Sequence, residues 1–161
     1  QKDYFYVFHT TKELKEVVNS FLLKEKLTNC EIVSDENIKS EVLSKSSFAI
    51  AKSGTISIEI CNAKIPSLII YKINFINYFI VKLLIKVKFA NIFNIIAKTE
   101  IIPELLQSNC NENKIFEVFN KYISNPELGN NQTSRCAKIL ESMKLKESSS
   151  EKVANVLFNY L

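Results

Sequence analysis

Between residues 4 and 71 short apolar runs alternate with stretches whose apolar residues recur at helical spacing, and nothing else in the chain restricts its fold as much. Tyr4–Phe8 reads as a buried strand, and residues 11–26 carry Leu14, Val17, Val18, Phe21 and Leu22 on one helical face. Cys30–Val33 reads as a second strand, residues 38–44 as a short helix and residues 47–51 as a third strand. A helix from Thr55 to about Asn62 follows, and Pro66 then introduces a strand over Ser67–Tyr71. Strands alternating with helices predict an α/β chain with a parallel sheet covered on both faces. Ligands of such sheets bind beyond the carboxyl ends of the strands.

The turn Ser53-Gly54-Thr55 lies at that end of the third strand. Gly54 is one of only two glycines in 161 residues. Glycine admits φ > 0 and lets a ligand come close to the backbone, and free N–H groups opening the next helix form an anion site. Thr55 and Glu59 are four apart and share a helix face, so Glu59 can reach a sugar hydroxyl pair beside a bound phosphate. That reads as half of a nucleotide site. The alternative is that Ser53 or Thr55 only caps the helix while Glu59 complements its dipole. A capping box from Thr55 would place the acid at position 58, where the chain has Ile58.

The length suits one domain with a real core. The chain opens on Gln1 and its single methionine is Met143, so a piece of something longer is expected. No charged-apolar-small signal pattern precedes the first strand. The net charge of +4 is carried by lysines scattered along the chain, with Arg135 the one arginine. Nucleic-acid binders gather Arg and Lys on one face, so no nucleic-acid partner is expected. Cys30, Cys61, Cys110 and Cys136 form no Cys-x-x-Cys pair, so neither a metal site nor a disulfide framework is expected, and the thiols read as reduced core residues of a cytosolic protein. The lone histidine, His9, sits at the end of the first strand, where it serves either a ligand or the fold.

From Pro103 the pattern turns helical, with helices expected to begin at Pro103-Glu104-Leu105-Leu106-Gln107 and to cover 112–123, about 132–145 and 149 to the end. These divide the chain into residues 1–124 and a helical tail, 125–161. Residues 65–96 are the most hydrophobic, but Lys72, Asn74, Asn77, Lys82, Lys86 and Lys88 interrupt them, so no membrane span is expected. Wound as a helix, 74–89 carries Phe75, Tyr78, Ile85 and Phe89 among Lys82 and Lys86, on the face opposite Ile76, Phe79, Ile80, Leu83 and Val87. Such a face suits an anionic lipid surface or a covering partner domain.

Four strings occur in a fixed order: Ala51-Lys52-Ser53-Gly54-Thr55-Ile56-Ser57-Ile58-Glu59, Ile65-Pro66-Ser67-Leu68-Ile69-Ile70-Tyr71-Lys72, Asn91-Ile92-Phe93-Asn94-Ile95-Ile96-Ala97 and Glu100-Ile101-Ile102-Pro103-Glu104-Leu105-Leu106-Gln107. Together they resemble the C-terminal half of the lipid-A-disaccharide synthases, from about residue 1 to the end and most strongly over 47–110. The resemblance implies a GT-B glycosyltransferase, of which this chain is most of the Rossmann-like UDP-sugar donor half. It implies transfer of 2,3-diacylglucosamine from its UDP conjugate to 2,3-diacylglucosamine 1-phosphate, with inversion and release of UDP. By that pattern Ser53, Gly54 and Thr55 line the diphosphate and Glu59 holds the uridine ribose, while Asn94, with Glu100 and Gln107, shapes the donor pocket. No metal or cofactor is implied, and the catalytic base is expected in the missing N-terminal half.

The acylated substrates would bring Phe75, Tyr78, Lys82, Ile85 and Lys86 against the cytoplasmic surface of a Gram-negative inner membrane. The chain departs from the family pattern at Lys52, usually Ala, and at Phe93, Lys98 and Thr99, usually Pro, Gly and Arg. A homodimer is left open. So are two rival readings: another GT-B UDP-sugar transferase, such as the peptidoglycan N-acetylglucosaminyl transferase, or a non-catalytic remnant.

Overall fold

All three strand pairings among the described residues are parallel. The computed structural model describes residues 4–74, 88–144 and 149–158. They fall into two units, one within residues 1–47 and one within 48–161.

In the first unit β1 (Tyr6–His9) pairs with β2 (Cys30–Val33) across α1 (Lys15–Lys24), in the register Tyr6↔Cys30 to His9↔Val33. β1 is less buried than its apolar sequence predicts: Tyr6 and Val7 are 43% and 39% exposed. Of the apolar residues spaced along α1 only Leu22 is buried, because one helix on two strands offers a narrow contact. The short helix expected over 38–44 divides into a 3₁₀ turn at Glu36–Ile38, capped by the Asp35 carboxylate, and α2 (Lys39–Lys45).

The second unit contains the strand order β3-β4-β5, made of Ala49–Lys52, Ser67–Tyr71 and Glu104–Leu106. β3 and β4 are joined through α3 (Ile56–Asn62), and α4 (Ile92–Ala97) precedes β5. The helix expected from Pro103 is therefore a correction: residues 104–106 are a strand. Ile69 donates its N–H to the Pro103 carbonyl at 2.9 Å, and the register continues Ile69↔Glu104 to Tyr71↔Leu106. A free edge on β4 outweighs the weak helical preference of a five-residue string. A 3₁₀ turn, Gln107–Asn109, ends the strand.

α5 (Glu112–Ser124), α6 (Pro126–Met143) and α7 (Ser149–Phe158) complete the chain. α6 starts well before the expected position. Asn125 closes α5 and its side chain then accepts from the Glu127 N–H, with Pro126 opening the new helix. The core gathers Cys61, Ile69, Phe93, Ile101, Ile102 and Cys136.

Two glutamines fasten β4 at its ends. The Gln132 side chain, 3% exposed, accepts from Ser67 N–H at 2.6 Å and donates to the Ser67 carbonyl at 3.0 Å, so α6 supplies the pairing a further strand would have made. The Gln107 side chain does the same for Ile73, at 2.8 and 3.1 Å. Gly129 lets α6 approach: a Cβ there would stand 2.8 Å from the Pro66 Cγ.

Phe75, Tyr78, Lys82, Ile85 and Lys86 lie outside the described residues. No helix among the described residues is long and apolar enough to cross a membrane.

Candidate functional site

Ser53, Gly54 and Thr55 form the turn between the carboxyl end of β3 and α3. Gly54 has φ 159°, a positive value that residues with a Cβ rarely adopt, and beyond its chain neighbours no atom of the described residues lies within 4 Å of the position a Cβ would take. The glycine therefore serves the backbone conformation of the turn as well as close approach. Thr55 occupies the N-cap position, yet its side chain makes no capping hydrogen bond, so the simple capping role is not the one it plays. Ser57 N–H goes to the Gly54 carbonyl and Ile58 N–H to the Thr55 carbonyl, while the Ser57 hydroxyl also donates to Gly54. The N–H groups of Gly54, Thr55 and Ile56 have no acceptor among the described residues. Glu59 lies one turn into α3 and is exposed.

The Ser53 hydroxyl donates to the Ala90 carbonyl at 2.8 Å. Its single proton is thereby committed, so toward an anion Ser53 has its backbone to offer. This bond joins the turn to the segment 88–91, which leads into α4.

Asn94 is fully buried and spends all its capacity inside the protein. Its oxygen accepts from Ile101 N–H at 2.7 Å and Ile102 N–H at 2.9 Å, and its nitrogen donates to the Ile102 carbonyl and to Glu104 Oε1, both at 2.7 Å. Asn94 thus shapes its surroundings by fixing the chain on either side of it. Gln107, engaged with Ile73, does likewise from φ 52°. Glu100 is exposed and its carboxylate accepts from Glu104 N–H at 3.4 Å.

Glu104 was not singled out from the sequence, because a helical reading of 103–107 hid it. Its half-buried carboxylate accepts from Ala90 N–H at 2.8 Å and Asn91 N–H at 3.0 Å as well as from Asn94. An extended reading of 104–106 would have drawn attention to a carboxylate starting a parallel strand.

The four departures from the family pattern find places. The Lys52 ammonium lies 5.2 Å from the Tyr71 ring centroid, a cation–π contact between neighbouring strands. Phe93 is fully buried in the core. Lys98 ends α4 in the left-handed conformation, φ 53° and ψ 21°, where a glycine is the usual residue. Thr99 is exposed beside it. His9 lies in the first unit, 3.8 Å from the Glu36 carboxylate. The four cysteines are free thiols, and no group of three His, Cys, Asp or Glu side chains among the described residues could hold a metal.

The family model described as lipid-A-disaccharide synthetase matches residues 4–158. The chain belongs to the lipid-A-disaccharide synthase family. It is 40% identical over 111 residues to the lipid-A-disaccharide synthase of Rickettsia prowazekii, covering 69% of this chain and 29% of that protein. The Rickettsia bellii enzyme is 36% identical over 132 residues, 82% of this chain and 34% of the relative. The Rickettsia canadensis enzyme is 32% identical over 151 residues, 88% and 39% respectively. The matches therefore span about a third of the length of these curated relatives.

Proposed function

We propose that this chain is the donor-binding half of a glycosyltransferase of lipid A synthesis. The observation that carries the reading is the Ser53-Gly54-Thr55 turn, with no described atom beyond its chain neighbours within 4 Å of where a Gly54 Cβ would stand and placed at the carboxyl end of β3, in a chain of this family. The whole protein would transfer 2,3-diacylglucosamine from its UDP conjugate to 2,3-diacylglucosamine 1-phosphate. An acceptor hydroxyl attacks the anomeric carbon, UDP departs, and the configuration inverts. The residues here would hold the leaving group: Gly54 and Thr55 through turn N–H groups and the Thr55 hydroxyl, Glu59 through the ribose hydroxyls. Asn94, Glu100 and Gln107 would fix the pocket walls, the amides by holding backbone rather than by touching the sugar. Phe75, Tyr78, Lys82, Ile85 and Lys86 would rest on the inner membrane's cytoplasmic surface, where both acylated substrates reside.

The relatives are about three times longer than the segment matched, and in this reading the catalytic base lies outside residues 1–161. On its own the chain is expected to turn over no donor. The test is a transfer assay on the protein extended to the relatives' full length, with acylated and non-acylated UDP-glucosamine donors. Turnover of the acylated donor alone supports the reading. Turnover of UDP-N-acetylglucosamine alone moves the chain to another GT-B transferase, and turnover by residues 1–161 alone overturns the half-site assignment.

A further inference from the structure

Among the described residues the Glu104 carboxylate accepts three hydrogen bonds, and none of these serves β5, the strand it begins. Oε2 accepts from Ala90 N–H at 2.8 Å, and Oε1 from Asn91 N–H at 3.0 Å and from the Asn94 side chain at 2.7 Å. Ala90 is held from its other side too, since its carbonyl accepts from the Ser53 hydroxyl at 2.8 Å. A single peptide segment is thus pinned between a carboxylate rooted in β5 and the turn that follows β3. The two anchors are 51 positions apart in sequence (104 − 53), and β4, which pairs with both strands, fixes the distance between them. A charged acceptor facing two consecutive backbone N–H groups is stronger and more directional than a neutral one.

We propose that Glu104 is a positioning residue for the donor diphosphate: through Ala90 it sets where Ser53 sits, and hence the aim of the Gly54 and Thr55 N–H groups. The inference rests on the donor-half reading above. Its chemistry singles out the isosteric change Glu104→Gln. An amide presents one acceptor oxygen and an NH₂, so it must turn donors toward Ala90 N–H or toward Asn91 N–H and the Asn94 nitrogen, and the segment moves. Ser53→Ala cuts the same tether at its other end, at a half-exposed position.

The experiment records amide NMR spectra and calorimetric UDP affinity for the chain, Glu104→Gln, Ser53→Ala and the double variant. In the free protein Glu104→Gln should shift amides not only at 89–94 but also at 53–56. Each single variant should weaken UDP binding about tenfold, and the double variant should be no weaker than the worse single one, the signature of one shared link. Shifts that stop at 94, with UDP affinity within about twofold of wild type, overturn the proposal. Additive losses overturn it as well. If Glu104→Gln does not fold, Ser53→Ala decides the link by whether its shifts reach Ala90 and Asn91. If wild type ignores UDP, in this chain and again when extended to the relatives' length, the donor reading fails, and the free-state shifts still decide whether Glu104 controls the turn.

Discussion

Among the described residues three helices end on a lysine in the left-handed conformation: Lys26 at φ 54°, Lys64 at φ 58° and Lys98 at φ 53°. At α1 and α3 the bonding is that of a Schellman motif. Leu27 N–H reaches back to the Leu22 carbonyl and Lys26 N–H to Leu23, and Ile65 N–H reaches Ile60 while Lys64 N–H reaches Cys61. Glycine is the usual residue at such positions because a Cβ crowds the carbonyl there, at about 1–2 kcal/mol. Replacing Lys98 by glycine removes that strain but frees the unfolded chain by about 0.4–1 kcal/mol. It also forfeits a few tenths from a cation near a helix C-terminus. The net gain expected is about 0.5–1 kcal/mol, or about 1–4 °C in Tm for a chain of this size. Lys98→Ala is the control, since it removes the charge and keeps the strain; Lys98→Gly should exceed it by about 1 kcal/mol in urea unfolding. Lys64→Gly should behave alike, and the two gains should add because the helices end at separate places. A glycine variant no more stable than its alanine counterpart would refute the reasoning.

Other perturbations test the packing. Gln132→Met keeps the volume but strips both hydrogen bonds from the buried Ser67 backbone, and should cost about 2–4 kcal/mol in urea unfolding. Gly129→Ala should destabilise by about 1–2 kcal/mol despite alanine's better helix propensity, since the Pro66 ring cannot yield easily. Cys61 and Cys136 are buried while Cys30 and Cys110 are partly exposed, so a thiol reagent should label the latter two first and the former only on unfolding. A hydrogen bond with Cys136, together with burial, pushes the Cys61 thiol well above its ordinary range. The unfolded thiol ionises near pH 8.5 and the folded one does not, so this contribution is complete below that pH and declines above it. Cys61→Ser should flatten that alkaline decline in a pH series of melting curves.

The alternation over residues 4–71 was legible because strands and helices there differ in apolar period, and Cys30–Val33 and Ser67–Tyr71 fall where that period places them. The segment 103–107 was not, because Leu105 and Leu106 suit either period and only the free edge of β4 decides between them. The turn at 53–55 was legible from a rare glycine after an apolar run. What the glycine does was not, since openness above Gly54 depends on what packs nearby. Asn94 and Gln107 stood out in the ordered strings, but their hydrogen bonds run to Ile101, Ile102 and Ile73, partners that no local pattern reveals. Glu104 escaped for the same reason, its partners lying at 90, 91 and 94.

The central claim is that the turn after β3 receives the diphosphate of a UDP-sugar. An amide-resolved NMR titration of the chain with UDP tests it most directly. The account predicts saturable shifts concentrated at 53–59, with a second set at 88–94 and 104–107 carried by the tethers. A well-dispersed spectrum that does not change with UDP, in this chain and again in the protein extended to the relatives' length, would contradict it.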